Sequence, residues 1–126
     1  MQLTKTNYVD LAEETVKKLD RDRNGKLILT TSKIRNLLNM ISAIYNDIIH
    51  TNAEKLDEDL VERVQYLRMR FAYEAGREKS VRNLLEVGKI QELVKEIGNN
   101  KDKCILFCHY MEAIVAYHKF YGGKDK

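Results

Sequence analysis

The stretch Asp57 to Lys79, "DEDLVERVQYLRMRFAYEAGREK", carries two periodic patterns at once. Leu60, Val64, Leu67, Phe71 and Ala75 recur every three or four residues, the spacing that gathers side chains on one face of an α-helix. Arg63, Tyr66, Arg70, Tyr73 and Arg77 recur beside them. At about 100° per residue these five fall within an arc of roughly 80°. The stretch therefore predicts a helix with a core stripe and an adjacent arginine–tyrosine stripe. Gly76 either lets another backbone approach closely or weakens the helix there.

The same period extends in both directions. Val9, Ala12, Val16 and Leu19 predict a first helix over Asn7 to Arg21, with Thr6 as N-cap. A second helix begins near Thr31 or Ser32, with Ile34, Leu37, Leu38, Ile41, Tyr45 and Ile48 as its apolar stripe. The polar, acidic run Thr51 to Asp59 reads as a connection. A shorter helical stretch covers Val81 to Val87, Gly88 is a candidate interruption, and Ile90, Leu93, Val94 and Ile97 resume the pattern. Gly98 to Asn100 is a helix stop. The last helix, Asp102 to Tyr121, is apolar on most sides and belongs in the centre of a bundle. Gly122 and Gly123 end it, and "KDK" forms a short tail. Proline is absent, which favours long helices joined by short loops. The expectation is an all-α, compact bundle of about five helices.

The chain has 126 residues, most simply one domain over 1–126, long enough to bury roughly two thirds of its unfolded surface without a staple. Net charge is +3, which excludes a grossly polybasic protein but permits a local basic face. No apolar run reaches transmembrane length and no signal-peptide core is present, so no membrane partner is expected. Cys104 and Cys108 are the only cysteines. A cytoplasmic protein with reduced thiols is the default.

Two motifs suggest metals, and neither completes a site. Asp20, Asp22, Asn24 and Gly25 match the opening of a calcium loop. The twelfth position, which needs a bidentate Glu, is Thr31, and Arg21 and Arg23 oppose a cation. The stretch reads as a polar turn with Asn24-Gly25 at its tip. Cys104 and Cys108 lie one helical turn apart, but His109 points about 100° away from Cys108, and zinc usually takes four ligands. Two small residues on a central helix read as core. His50 and His118 read as surface or satisfied imidazoles. No phosphate-cradling loop, nucleophile elbow or hydrolytic carboxylate pair is present, and neither a catalytic residue nor a cofactor is predicted.

The arginines are the informative feature. Guanidinium groups bond phosphates bidentately, and tyrosines can stack on a base or pack on a sugar. Glu62, Glu74 and Glu78 lie on the same helix, and Glu74 and Glu78 can pair with Arg70, Arg77 or Arg82. From periodicity alone, a salt-bridged solvated face is favoured over a nucleic-acid face. Arg68 lies near the edge of the apolar arc, beside Val61 and Ala72, and either snorkels or meets a partner.

Three stretches carry a resemblance: "LTTSKIRNLL" at Leu29 to Leu38, "YLRMRFAYEAGRE" at Tyr66 to Glu78 and "YMEAIVAYHKFYGG" at Tyr110 to Gly123. In order and spacing they resemble the small helical subunit of type III-A CRISPR–Cas (Csm) effector complexes. The resemblance covers most of the chain and implies a non-catalytic subunit. Several copies would stack head to tail along the channel that holds crRNA paired with target RNA. The partners implied are crRNA and target RNA, further copies of the chain, and the backbone and large subunits of the Csm complex. Target-RNA cutting would belong to the backbone subunit, and DNA cutting and cyclic-oligoadenylate synthesis to the large one. The matched motifs nominate Lys33, Arg35, Arg68, Arg70, Arg77 and Lys119 as nucleic-acid-binding residues; Arg63 joins them on stripe geometry alone. The rival from another class is a helical adaptor that binds only protein. A third is a calcium-responsive helical protein.

Overall fold

The structure, a computed structural model, describes residues 2–125. Lys126, the last residue of the "KDK" tail, and Met1 lie outside the described residues. Among the described residues there are six helices and no strand: α1 Tyr8–Lys17, α2 Thr31–Ile49, α3 Glu58–Arg77, α4 Lys79–Val87, α5 Ile90–Ile97 and α6 Lys101–Phe120. The expected all-α class is found. The count of about five becomes six because the stretch from Val81 to Ile97 is two helices, not one.

The break between α4 and α5 has a spatial cause. A side chain on Gly88 would sit 3.1 Å from the Leu84 carbonyl oxygen and 3.2 Å from the Thr15 methyl group. Gly88 itself has an ordinary φ of −83°, and the left-handed residue is Lys89, at φ 55°. The glycine is needed for room, and its neighbour makes the turn.

Helix α6 occupies the centre, as its apolar circumference predicts. It packs against α1, α2 and α5, while α3 packs against α2, α4 and α5. Phe107, Tyr110, Met111 and Ile114 are fully enclosed there. Tyr110 brings a hydroxyl into this core. It donates to the Gly88 carbonyl at 3.0 Å and shares a 2.8 Å hydrogen bond with the Thr15 hydroxyl. One buried oxygen thus ties α6 to α1 and to the α4–α5 turn.

The predicted boundaries shift where side chains find other partners. Helix α1 ends at Lys17, four residues before the expected Arg21, because Leu19 turns into the core and the Asp20 amide bonds Asn83 Oδ1 at 2.9 Å. Its N-cap is Asn7 rather than Thr6, and the Asn7 carboxamide reaches back to the Thr4 amide at 2.7 Å. Helix α2 starts at Thr31, within the expected window. Its first two amides are not capped by a side chain. They bond the carbonyls of Lys124 at 2.7 Å and Asp125 at 3.2 Å, which fold across the helix start. Helix α3 is capped by Asp57, whose carboxylate accepts from the Leu60 amide at 2.9 Å. No other segment of this chain comes within 4 Å of where a Gly76 side chain would start, so packing within the chain does not require the glycine. The helix ends one residue later, at Arg77.

The calcium-like loop is a self-satisfied turn. Asp22 Oδ1 accepts from the amides of Asn24 at 2.8 Å and Lys26 at 3.0 Å, and Arg21 donates to the Gly25 carbonyl at 2.9 Å. These amide bonds hold the Asp22 carboxyl below the usual carboxylate range. The carboxylate thus serves the turn that the Asn-Gly tip predicts.

Candidate nucleic-acid interface

Helices α2 and α3 run antiparallel, and their exposed flanks form one long face. Lys33 enters it from the first turn of α2; Arg63, Arg70 and Arg77 enter from α3. Tyr66 and Tyr73 stand between the arginines, 56% and 58% exposed. The stripe read from the sequence is therefore solvent-exposed at both tyrosines. The Tyr73 ring lies between two guanidinium groups, with Arg70 at 5.9 Å and Arg77 at 5.6 Å from its centroid. Such cation–π contacts fix the arginines' direction at little cost in charge.

Most of these cations already have a carboxylate. Lys33 meets Glu78 at 2.6 Å and Arg63 meets Asp47 at 2.5 Å, both pairs bridging α2 to α3. Arg77 meets Glu74 at 3.3 Å within its own helix. Lys33 holds the Glu78 carboxyl below the usual range, through a hydrogen bond and its charge. The expected pairing is thus partly different: Glu74 takes Arg77, Glu78 takes Lys33 across helices, and Arg82 takes Glu86. Glu74 is also not solvated; it is buried, with Arg77 as its counter-charge. Arg70 has no carboxylate within ion-pair distance among the described residues.

The other nominated residues lie elsewhere. Lys33 and Arg35 are two positions apart, so they diverge by roughly 200° around α2. Arg35 faces the tail. The Asp125 carboxyl is held below its usual range first by Lys119, which meets it at 2.9 Å, and then by the charge of Arg35. Arg35 and Lys119 thus form a second basic patch around residue 125. Arg68 stands alone on the flank toward α5. It is half-buried and bonds Gln65 at 2.7 Å, while its carbonyl accepts from the Gln91 amide at 3.0 Å.

The candidate reactive groups are enclosed. Cys104 and Cys108 are buried and free, and hydrogen bonding to Cys104 together with burial pushes the Cys108 thiol up. His109 points to Tyr8 and Tyr45, both at 5.9 Å between ring centroids, and not to the thiols. His118 is fully buried; its Nε2 lies 2.6 Å from the Leu29 carbonyl and its Nδ1 lies 3.4 Å from the Thr31 hydroxyl. A carbonyl can only accept, so Nε2 carries the proton. Burial pushes this imidazole below its ordinary range, against the Leu29 bond. No helix is long and apolar enough to cross a membrane among the described residues.

Two surface features were missed in the sequence. Between α2 and α3 lies an open hollow of about 400 Å³, floored by Met40, Ile44 and Leu67. Phe120, near the end of α6, is 74% exposed beside Tyr117 and Tyr121. Met40 and Ile44 are one turn apart on α2, a spacing that could have revealed the hollow's floor.

Fold and face together describe a small all-helical protein with a basic, tyrosine-bearing flank and a closed core. A family model described as Csm2 Type III-A matches residues 3–124, and the chain belongs to that family. Its relatives include the "CRISPR system Cms protein Csm2" of Streptococcus thermophilus, 48% identical over 123 residues that cover 98% of both chains. The protein of that name from Mycobacterium tuberculosis (strain H37Rv) is 36% identical over 126 residues and the full length of both. That of Enterococcus italicus is 41% identical over 99 residues, covering 77% of this chain and 71% of its own.

Proposed function

We propose that the chain is a non-catalytic, single-domain small subunit of a cytoplasmic type III-A CRISPR ribonucleoprotein. It stacks in several copies against the backbone and large subunits and contacts the backbone of crRNA paired with target RNA. The observation that carries this reading is the α2–α3 face, where Lys33, Arg63, Arg70 and Arg77 share one surface with two exposed tyrosines. Guide pairing reads the sequence in such complexes, so a protein subunit need only grip shape and backbone. An A-form duplex offers phosphates and 2′-hydroxyls for that purpose. A few free cations per copy suffice when copies repeat along one strand, because avidity multiplies weak contacts. The second patch, Arg35 with Lys119, supplies further contacts of the same kind.

A protein-only adaptor is the second reading. It is favoured by the carboxylates of the same chain that already neutralise Lys33, Arg63, Arg77 and Lys119. Target binding by reconstituted complexes, measured at several salt concentrations, separates the two. The variants to use are Arg35→Ala and Arg70→Ala, because neither strands a carboxylate within ion-pair distance. For single strands the log–log slope of affinity against salt is about −0.7 per phosphate contacted, so losing two contacts per copy flattens it visibly. The loss should be similar across guide sequences, since phosphate contacts carry no sequence information. Properly incorporated variants with unchanged affinity and slope would leave the adaptor reading standing.

A further inference from the structure

The hollow between α2 and α3 has a composition that the phosphate-gripping role does not use. Its floor, Met40, Ile44 and Leu67, is apolar, and Tyr66 forms one wall. Arg63 and Arg70 stand at its two ends, seven residues apart on α3 and so about 10.5 Å along the helix axis. Glu62 also borders it.

The charges around the hollow decide what it can hold. Arg63 is neutralised by Asp47, one turn beyond Ile44 on α2. Glu62 adds a negative charge at the same end. A bare anion is therefore not drawn inside. Arg70, at the other end, lacks a carboxylate partner among the described residues and is steered by the Tyr73 ring. A group with an uncharged planar part and an adjoining negative charge satisfies both ends. The planar part meets an apolar floor and an aromatic wall, and the charge meets a free guanidinium.

Resting on the RNA reading above, we propose that this hollow seats one unpaired nucleobase of an RNA strand, packed against Tyr66 over Met40 and Ile44, with the adjoining phosphate held by Arg70. Bases inside an A-form helix do not present their faces, so the seat requires a single-stranded or displaced nucleotide. Every base has a π-face, so the seat tolerates any sequence.

The test compares two RNAs on the isolated protein at low salt: an oligoadenosine, and an oligomer of equal length whose nucleotides are abasic. Wild-type protein should bind the base-bearing strand about tenfold more tightly, the scale of one base–aromatic contact. Tyr66→Ala, at a half-exposed position, and Met40→Trp, which fills the hollow, should each erase that preference. Arg70→Ala should weaken both RNAs. Equal wild-type affinity for the two strands overturns the base seat. If Arg70→Ala still weakens both, the RNA reading stands without it; if Arg70→Ala weakens neither, the RNA reading itself fails. A Met40→Trp variant that keeps the preference but changes the protein's own sedimentation overturns the seat as well. The hollow would then receive a neighbouring chain, for instance through an exposed aromatic such as Phe120.

Discussion

The seat of α6 and the α2–α3 face both place polar groups along helices, and they treat those groups in opposite ways. Around α6 the two largest enclosed polar side chains are matched inside the molecule. Tyr110 meets Gly88 and Thr15, and His118 meets Leu29 and Thr31. On the α2–α3 face the matching stops short. Lys33, Arg63 and Arg77 have carboxylates, Arg70 has only a tyrosine ring, and Tyr66 has a hollow beside it. A buried polar group without a partner costs about 1–3 kcal/mol, so matching is favoured in the interior; among the described residues the Gln91 Oε1 is the exception. An exposed guanidinium pays no such penalty and can stay open for a ligand. Under the proposed RNA reading the binding face is the open side, and mutations on the two sides should differ in what they damage.

The largest expected effect is on the matched side. Tyr110→Ala removes a fully enclosed ring and leaves the Gly88 carbonyl without its donor. A loss of about 3–5 kcal/mol in unfolding free energy is expected. Denaturant unfolding measures it, and a loss below 1 kcal/mol would show that the core does not depend on this ring. Next comes the pair Cys104→Ser with Cys108→Ser. Each puts a hydroxyl where a buried thiol packs, at about 1–3 kcal/mol per site if unsatisfied and less if it bonds the preceding helical turn. RNA binding should not change. Stoichiometric zinc in the wild type, lost in the double mutant, would show that the thiols are ligands.

Acid should find His118. Its folded-state pKa lies below the ordinary 6.5, so the unfolded chain binds the proton more readily. Stability from this group is complete above about pH 6.5 and declines as pH falls below it toward the folded value. Melting temperatures between pH 7.5 and 5 should drop more for the wild type than for His118→Gln. An equal drop would place the acid sensitivity elsewhere.

Legibility in the sequence follows the range of the interaction. Both stripes of α3 were readable because helical period depends only on neighbours three and four apart. The central place of α6 was readable for the same reason. Lys33–Glu78 and Arg63–Asp47 were not, because each joins two helices whose packing register no periodicity encodes. The same gap hid the hollow and the exposure of Phe120. Lys33 and Arg35 look like one cluster in sequence and part company on the helix, one toward α3 and the other toward Asp125. Turn chemistry was readable at Asn24-Gly25, whereas the left-handed Lys89 was not, since a lysine carries no local signal for positive φ.

The smallest expected stability effect sharpens the comparison within the basic face itself. Arg70 and Arg77 flank the same tyrosine, both exposed, and the sequence gives no reason to separate them. Their partners do. Arg77 is the counter-charge of the buried Glu74, whereas Arg70 has no acid within ion-pair distance among the described residues. Removing one partner of an ion pair costs most where the remaining charge is poorly hydrated. Arg77→Ala should therefore destabilise the fold measurably, and part of any RNA effect it shows would be structural. Arg70→Ala should change unfolding free energy by no more than about 0.5 kcal/mol, the scale of surface substitutions away from such features. Its effect should fall on RNA affinity instead. Parallel unfolding and RNA titrations of the two variants decide the matter. If Arg70→Ala costs as much stability as Arg77→Ala, Arg70 has a structural duty, and the free cation on which the functional face depends is not free.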